Sequence, residues 1–115
     1  MIEPGEVYMA DIPDLGRRPV LVVSRESLNR GNRVTAVPFT TRFFVERSKL
    51  PGCVPFQAGQ FGLTRDCVAQ CDALFELPVK WLDLTVGPVG ILDDERLRDI
   101  VRAIGYVIES ECEPM

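Results

Sequence analysis

The sequence predicts a mainly β fold, a small and strongly curved β-barrel followed by one C-terminal helix. Short β-branched and aliphatic runs, too short for helices, recur along residues 6–92 between glycine- and proline-containing turns. Apolar residues then recur at helical spacing from Leu97 to Ile108. The 115 residues, 46% of them hydrophobic, suffice for one core, and no repeat or linker divides them. We therefore expect a single domain over residues 1–115.

Alternation and β-branched runs place three strands in the first third of the chain. The second strand, 20–23, is a continuous apolar run stopped by Pro19, with Arg17 and Arg18 just ahead of it. Polar, turn-rich residues with room for one helical turn follow at 24–32. The first and third strands are predicted at Glu6–Ile12 and Arg33–Thr40.

The middle of the chain predicts shorter elements. A charged loop at 43–49 precedes a strand at 50–56, which its two prolines confine to a sheet edge. The remaining predictions are a loop at 57–64, a strand at 66–75, a short helix at 77–82 that starts at Pro78, and a glycine-interrupted strand at 86–92.

The C-terminal helix is predicted from its cap and its apolar stripe. Asp93 or Asp94 caps the N-terminus. We expect the stripe to cover the barrel or a dimer partner, and the acidic tail at 109–115 to fray. The stripe consists of Leu97, Ile100, Val101, Ile104, Val107 and Ile108.

Charge is distributed unevenly along a chain whose net charge is −4. Eight basic residues and two acids lie between Arg17 and Lys49, whereas four basic residues and nine acids lie between Ala73 and Met115. A basic face on an acidic protein can hold a polyanion. The alternative is that solvated loops carry these arginines. No apolar run is long enough to span a membrane and no export signal is apparent, so we expect a cytoplasmic protein.

Polar residues, most of them cationic, flank two of the buried strands. Arg17 and Arg18 precede the second strand, while Thr40, Thr41 and Arg42 end the third. If these strands pair antiparallel, the start of one lies beside the end of the other, and these side chains meet at one rim. Guanidinium groups beside hydroxyl groups suit a phosphate.

The four cysteines suggest neither a metal site nor a cofactor. The chain has no CxxC pair and no histidine, so a zinc site would need cysteines and carboxylates alone. We expect reduced thiols that act as small core residues, with Cys112 exposed. The other three are Cys53, Cys67 and Cys71.

Several motifs occur in order with short gaps between them: GEVY at 5–8, GRRPVLVVS at 16–24, NR at 29–30, VPFTT at 37–41, GLTRDCVA at 62–69 and the closing helix at 92–108. Together they resemble the MazF/PemK family of toxins from type II toxin–antitoxin systems. The match runs along almost the whole chain, and its second and fourth motifs are the most specific.

The resemblance implies an SH3-like barrel, a twofold homodimer and an endoribonuclease that cuts single-stranded RNA at a short sequence without metal. The RNA's own 2′-OH attacks, which leaves a 2′,3′-cyclic phosphate and a 5′-OH. Arg18 and Thr40 match the family's catalytic pair. The resemblance also implies an antitoxin partner, MazE-like, whose disordered tail covers the RNA groove.

Other residues are candidates for supporting roles. Phe43, Phe44 and Phe61 are either base-stacking rings or buried loop anchors. Asp72 follows Gln70 and Cys71 where one branch of the family has Arg-Cys-Asp, so it is either a further catalytic base or a structural hydrogen-bond acceptor. For Arg65 the alternative is a turn ion pair with its neighbour Asp66. The candidate RNA-backbone contacts are Arg17, Thr41, Arg42 and Arg65.

Two other functions remain open from the sequence. One is a non-enzymatic poison of a protein target, as in CcdB relatives that block DNA gyrase through a C-terminal Trp-Gly-Ile. This chain ends Glu-Cys-Glu-Pro-Met, which disfavours that function. The other is a barrel that binds RNA or antitoxin without cleaving RNA.

Overall fold

The computed structural model describes residues 2–29 and 31–109, and it confirms a mainly β fold with a C-terminal helix. Of the acidic tail predicted at 109–115, Glu109 belongs to the C-terminal helix, and residues 110–115, with Cys112, lie outside the described residues. The elements are β1 (Glu6–Ile12), β2 (Gly16–Val22), β3 (Arg33–Thr40), α1 (Phe44–Arg47), β4 (Cys53–Phe56), β5 (Cys67–Gln70), β6 (Phe75–Pro78), β7 (Gly90–Ile91) and α2 (Asp94–Glu109). Across this part of the chain, none of the helices has the length and apolar character to cross a membrane.

The strands form one curled antiparallel sheet, a half-barrel. Its order is β4-β5-β3-β2-β1-β7, and β6 also pairs with β3. The predicted bounds of the first and third strands are confirmed, and β4 lies at a sheet edge as its prolines predict. The strand β3 is central, because it pairs with β2 on one side and with β5 and β6 on the other.

The predicted strand at 66–75 is wrong as a single element. It divides into β5 and β6, with a 3-10 turn at Cys71–Ala73 between them. Phe39 pairs with Ala69 and Ala36 with Phe75, so four residues of β3 lie opposite seven residues of the neighbouring segment. The extra residues form a bulge whose Cys71 is buried below α2. Such an insertion bends and twists a sheet, which local alternation does not reveal.

Three further predictions are corrected by tertiary contacts. The helix at 77–82 is only a 3-10 turn at Val79–Trp81, because Leu77 pairs with Val34 in the sheet. The loop at 43–49 contains α1. The strand at 86–92 shortens to Gly90–Ile91, since a turn holds the preceding residues: Gly87 N–H donates to the Asp83 carbonyl at 3.1 Å.

The second strand is longer than the apolar run predicts. Arg17 and Arg18 lie within β2 because the hairpin with β1 pairs Asp11 with Arg17 and Ala10 with Arg18. Pro19 pairs with Met9 on the β1 side, and the β2–β3 ladder begins only at the next residue. Pro19 is thus paired with only one neighbouring strand. A proline is tolerated at such a position because its missing N–H removes no hydrogen bond from the β2–β3 ladder.

The two faces of the sheet carry separate apolar clusters, as alternation along paired strands requires. Val7, Leu21 and Val37 share one face beneath α2, whereas Tyr8 and Val20 share the other.

The helix α2 is capped as predicted, since Asp93 Oδ1 accepts a hydrogen bond from the Arg96 N–H at 2.8 Å. Only half of the predicted stripe covers the sheet. Ile100 is fully buried, but Val101 and Ile108 are 61% and 60% exposed. The described residues therefore leave part of the stripe uncovered.

Two glycines allow the loop before β5 to cross β7 at close range. A Cβ on Gly90 would overlap the carbonyl of Phe61, and a Cβ on Gly62 would overlap the carbonyl of Val89. The crossing anchors the segment that carries Leu63 towards the core, where its side chain is buried.

We expect Gly90→Ala to destabilise the fold by about 1–3 kcal/mol, because the added methyl group meets backbone that cannot move without breaking the crossing. Urea unfolding measures the change. The matched control is Gly105→Ala in α2, where a Cβ meets nothing within 4 Å. There the substitution should be neutral or stabilising by up to about 1 kcal/mol. Equal free energies of unfolding for the two variants would contradict the close contact between β7 and the loop before β5.

Candidate active site

A pocket of about 410 Å³ opens where the β2–β3 ladder ends. Three segments supply its walls: the β1–β2 hairpin, the end of β3 and the segment that leads into β5. Its lining residues are Met9, Arg17, Arg18 and Pro19 from the first, Phe39, Thr40, Thr41 and Arg42 from the second, and Leu63, Thr64, Arg65 and Cys67 from the third.

Strand register brings the predicted pair together. The last β2–β3 pair is Val20 with Pro38, and continuing this register by two residues places Arg18 opposite Thr40. Both side chains line the pocket. The predicted rim of arginine and threonine side chains is therefore present in the structure. Thr40 also pairs with Val68 of β5, which holds it from the other side.

The pocket is strongly cationic. Four arginines and three threonines line it, and none of its described lining residues carries a carboxylate. It is also shaped by apolar side chains, including the buried Phe39 and Leu63. Fixed guanidinium and hydroxyl donors in a partly apolar concavity are suited to a phosphodiester.

Arg17 is the one lining arginine that is held by acidic side chains in the described structure. Its guanidinium donates to Asp83 at 2.7 Å and to Asp11 at 3.1 Å. The hydrogen bonds to Asp83 and Asp11 raise the pKa of Arg17, and the hydrogen bond from Arg17 lowers the pKa of Asp83. Much of the charge of Arg17 is therefore balanced before any ligand arrives.

Arg18 is held differently. Its Nη2 donates to the Leu15 carbonyl at 2.9 Å, while its Nε is shielded from solvent and has no hydrogen-bond partner among the described residues. A buried donor left unpaired costs about 1–3 kcal/mol. Native folds retain few such donors, and a binding or catalytic role is one reason for keeping them.

The other candidate RNA contacts stand free of ion pairs. In the described structure, Arg42 and Arg65 form no salt bridge. The alternative of a turn ion pair for Arg65 is not realised, because the Asp66 carboxylate instead accepts the Ala58 N–H at 2.8 Å. Thr40 Oγ1 accepts the Arg42 N–H at 3.2 Å, and this bond ties the threonine to the following turn.

Asp72 does not reach the pocket. It is exposed in the bulge beyond the far end of β5 from Cys67, and its Oδ1 accepts a weak hydrogen bond from Cys53 Sγ at 3.9 Å. This placement agrees with the prediction that Asp72 is a structural hydrogen-bond acceptor, and it does not agree with a catalytic base beside Arg18.

Three cysteines are free and buried, as expected. Burial raises the pKa of Cys67 to about 11 and of Cys71 to about 12, and burial also raises the pKa of Cys53. Cys67 lines the pocket, but its thiol is protonated at neutral pH and is therefore a poor nucleophile. No cluster that could hold a metal ion occurs in residues 2–29 or 31–109.

The three candidate stacking rings lie in different environments. Phe61 packs against the core and makes an edge-to-face contact with Phe56 at 6.0 Å, so it is a loop anchor. Phe44 is half-buried in α1. Phe43 is 59% exposed beside the pocket residue Arg42.

Sequence reasoning missed several groups at the site. Asp83 lies 66 residues from Arg17, and nothing in the sequence signals their ion pair. Asp11 could have been found, because hairpin pairing about the turn at 13–16 sets it opposite Arg17. Thr64 and Cys67 fall within the motif at 62–69, but only the tertiary structure shows that they line the same pocket as the arginines.

Fold and pocket together define a small half-barrel protein with a cationic arginine–threonine pocket. The chain belongs to the PemK-like, MazF-like toxins of type II toxin–antitoxin systems, whose family pattern matches residues 3–108.

Individual relatives agree with this assignment. The chain is 29% identical over 106 residues to the probable endoribonuclease MazF5 of Mycobacterium tuberculosis, covering 91% of each chain. It is 27% identical over 110 residues to the endoribonuclease EndoA of Bacillus subtilis, covering 90% of this chain and 91% of EndoA. A solved mycobacterial endoribonuclease in complex with its cognate antitoxin superposes with a TM-score of 0.78 at 23% identity, covering 99% of this chain and 100% of that one, which supports the fold.

We expect Arg17→Ala to raise the pKa of Asp83 towards its ordinary value, because the largest cause of the lowered pKa is the hydrogen bond from Arg17. In the native protein the pair stabilises the fold above the ordinary titration range of aspartate and ceases to do so as pH falls through the lowered pKa. Carboxyl-detected NMR titration of both proteins measures the shift. Identical Asp83 titration curves would rule out the pair in solution.

We expect Cys67 and Cys71 to resist iodoacetamide at pH 8 in the native protein and to react in denaturant. Burial blocks access, and the raised pKa values leave little thiolate. Peptide mass mapping identifies the modified residues, and the denatured sample is the control. Rapid native labelling of Cys67 would show that the pocket thiol is more reactive than its surroundings imply.

Proposed function

We propose that this toxin is a metal-independent, sequence-specific endoribonuclease that cuts single-stranded RNA, messenger RNA included, by transesterification through the RNA's own 2′-OH. The observation that carries the proposal is the shared pocket of Arg18 and Thr40 in a chain without histidine. A pair of imidazoles is thereby excluded as acid and base. Relatives named as endoribonucleases add support.

In the proposed reaction, the 2′-oxygen forms a bond to phosphorus as the bond from phosphorus to the 5′-oxygen breaks. The 2′-OH proton passes to solvent, and the departing 5′-oxygen takes up a proton to become a 5′-OH. Negative charge grows on the phosphoryl and leaving oxygens. Arg18 neutralises that charge and Thr40 donates a hydrogen bond to it. Arginine side chains are not deprotonated in proteins, so we do not assign the role of base to Arg18.

The contact of Arg18 with the Leu15 carbonyl supports an electrostatic role. Preorganised donors act best when they need not reorganise during the reaction. One guanidinium nitrogen donates to backbone at 2.9 Å, and another is buried without a partner among the described residues, so the group is already partly desolvated. Acceptor oxygens of a bound phosphate would satisfy donors that the described residues leave unmet.

We assign RNA-backbone binding mainly to Thr41, Arg42 and Arg65, whose side chains line the pocket without acidic partners in the described structure. Arg17 lines the same pocket, but its two carboxylate partners must be displaced or shared when RNA binds. Neutralising Arg42 or Arg65 should weaken RNA binding, and should also reduce the salt dependence of binding, more than neutralising Arg17 does. Dependence on the 2′-OH also accounts for discrimination against DNA.

We also propose a single-domain toxin that acts as a homodimer and is held by a MazE-like antitoxin. The exposed apolar residues of α2, Val101 and Ile108, support a partner on that helix face. The cationic pocket suits an acidic antitoxin segment. A solved structural relative was itself crystallised with its cognate antitoxin.

Arg18→Ala should lower kcat on single-stranded RNA by about 10²–10³-fold, since it removes one preorganised donor. Thr40→Ala should lower kcat as well, and Thr40→Ser should retain most of it. Cleavage by the wild type should persist in excess EDTA. Gel assays with sequencing of 5′-OH ends measure the rates and the cut sites.

The matched control is Arg33→Ala. Arg33 lies at the opposite end of β3, where it forms an ion pair with Glu76, and its replacement should leave cleavage unchanged. Cleavage by Arg18→Ala at the wild-type rate would overturn the proposal. RNA binding without cut products would favour the non-catalytic barrel, and inhibition of supercoiling without RNA damage would favour a poison of gyrase.

A further inference from the structure

We infer that Phe43 is a stacking platform for an unpaired RNA base, placed beside the phosphate pocket. The inference rests on the proposed RNA substrate and adds a base-binding position to it. Phe43 is 59% exposed and directly follows the Thr40-Thr41-Arg42 segment of the pocket.

The backbone at Phe43 is in an unusual conformation. Its φ is 55°, in the left-handed region that bulky residues rarely adopt. Phe43 immediately precedes α1, and its carbonyl accepts the Arg47 N–H at 2.8 Å. Strained, non-glycine positions of this kind cluster at ligand clamps and active sites.

Core packing does not account for an aromatic side chain at this position. The ring belongs to neither of the two apolar clusters among the described residues. Phe61 also has a positive φ, but it packs against the core and has a structural reason for its aromatic ring. A smaller or polar residue would meet the backbone requirement at Phe43 with less exposed apolar area.

Two guanidinium groups flank the ring. The Cζ atom of Arg42 lies 5.7 Å from the ring centroid and that of Arg47 lies 5.6 Å from it. Cation–π contacts of this kind restrain an exposed ring without covering it entirely. They also surround it with positive charge, which favours a polyanionic ligand over an ordinary apolar partner.

Arg42 joins the ring to the pocket, because its side chain contacts the ring and lines the phosphate site. A nucleotide carries a flat base and a phosphate together, and this arrangement offers one surface for each. Base–aromatic stacking is the usual means by which proteins hold unpaired bases. The platform therefore selects single-stranded RNA and contributes to binding more than to bond cleavage.

Steady-state cleavage of a mixed-sequence, single-stranded transcript by the full chain tests the inference. Phe43→Ala and Phe43→Leu should raise KM by about 5–100-fold, the range expected for loss of one stacked base, with kcat changed less than about twofold. Phe43→Trp should keep KM near that of the wild type. Because Leu keeps apolar bulk without a π face, the Leu–Trp comparison still decides the matter if the Ala variant does not fold.

Val45→Ala is the matched control. Val45 is 61% exposed on α1 and is apolar, but it has no π face, so KM should stay within about twofold of the wild type. In Phe43→Trp, the emission of the added tryptophan should change with a single-stranded RNA oligomer and not with an abasic strand of the same length. Trp81 in the wild type supplies the baseline.

The outcomes separate the two proposals. If wild-type protein cleaves RNA and neither Phe43→Leu nor Phe43→Ala raises KM, the platform is overturned and the proposed function stands. If those variants lose only binding of an acidic antitoxin segment, the ring contacts protein and the platform is again overturned. If the wild type neither binds nor cleaves RNA, both proposals fail.

Discussion

Antiparallel pairing of β2 with β3 is the constraint on which the rest of the site depends. Its register sets Arg18 across from Thr40, and its early end at Val20 and Pro38 leaves a gap that the pocket occupies. Each of the two strands is also paired on its other side: β2 pairs with β1, and β3 pairs with β5 and β6. The donors are consequently held by sheet hydrogen bonds and not by loops alone, which favours preorganisation.

The loops around the pocket contain residues in strained backbone conformations. Three non-glycine residues with positive φ fall in them: Asp14 in the β1–β2 turn, Phe43 after β3 and Phe61 before β5. The close passage at Gly62 and Gly90 constrains the third loop further. Such strain persists only where the surrounding structure over-determines it. Here the rigid curled sheet supplies that support, and the pocket segments take conformations that isolated chains would avoid.

Charge is arranged so that an acidic protein can present a cationic site. The paired Asp11 and Asp83 balance Arg17, whereas Arg18, Arg42 and Arg65 line the pocket without carboxylate partners in the described structure. Local concentration of like charge costs stability through repulsion, and an ion pair at one member lowers that cost. A polyanion can then bind through a subset of the arginines while net charge stays at −4.

Local pattern alone determined the strands Glu6–Ile12 and Arg33–Thr40 and the capped C-terminal helix, because each depends on alternation or capping. It also set arginines and threonines at two strand ends, and antiparallel pairing of those strands then brought them to one rim. Tertiary structure alone decided the bulge at Cys71, the pairing of Arg17 with Asp83, the separation of Asp72 from the pocket and the difference between Phe43 and Phe61. These depend on which distant segments meet, and periodicity along one chain carries no information about such contacts.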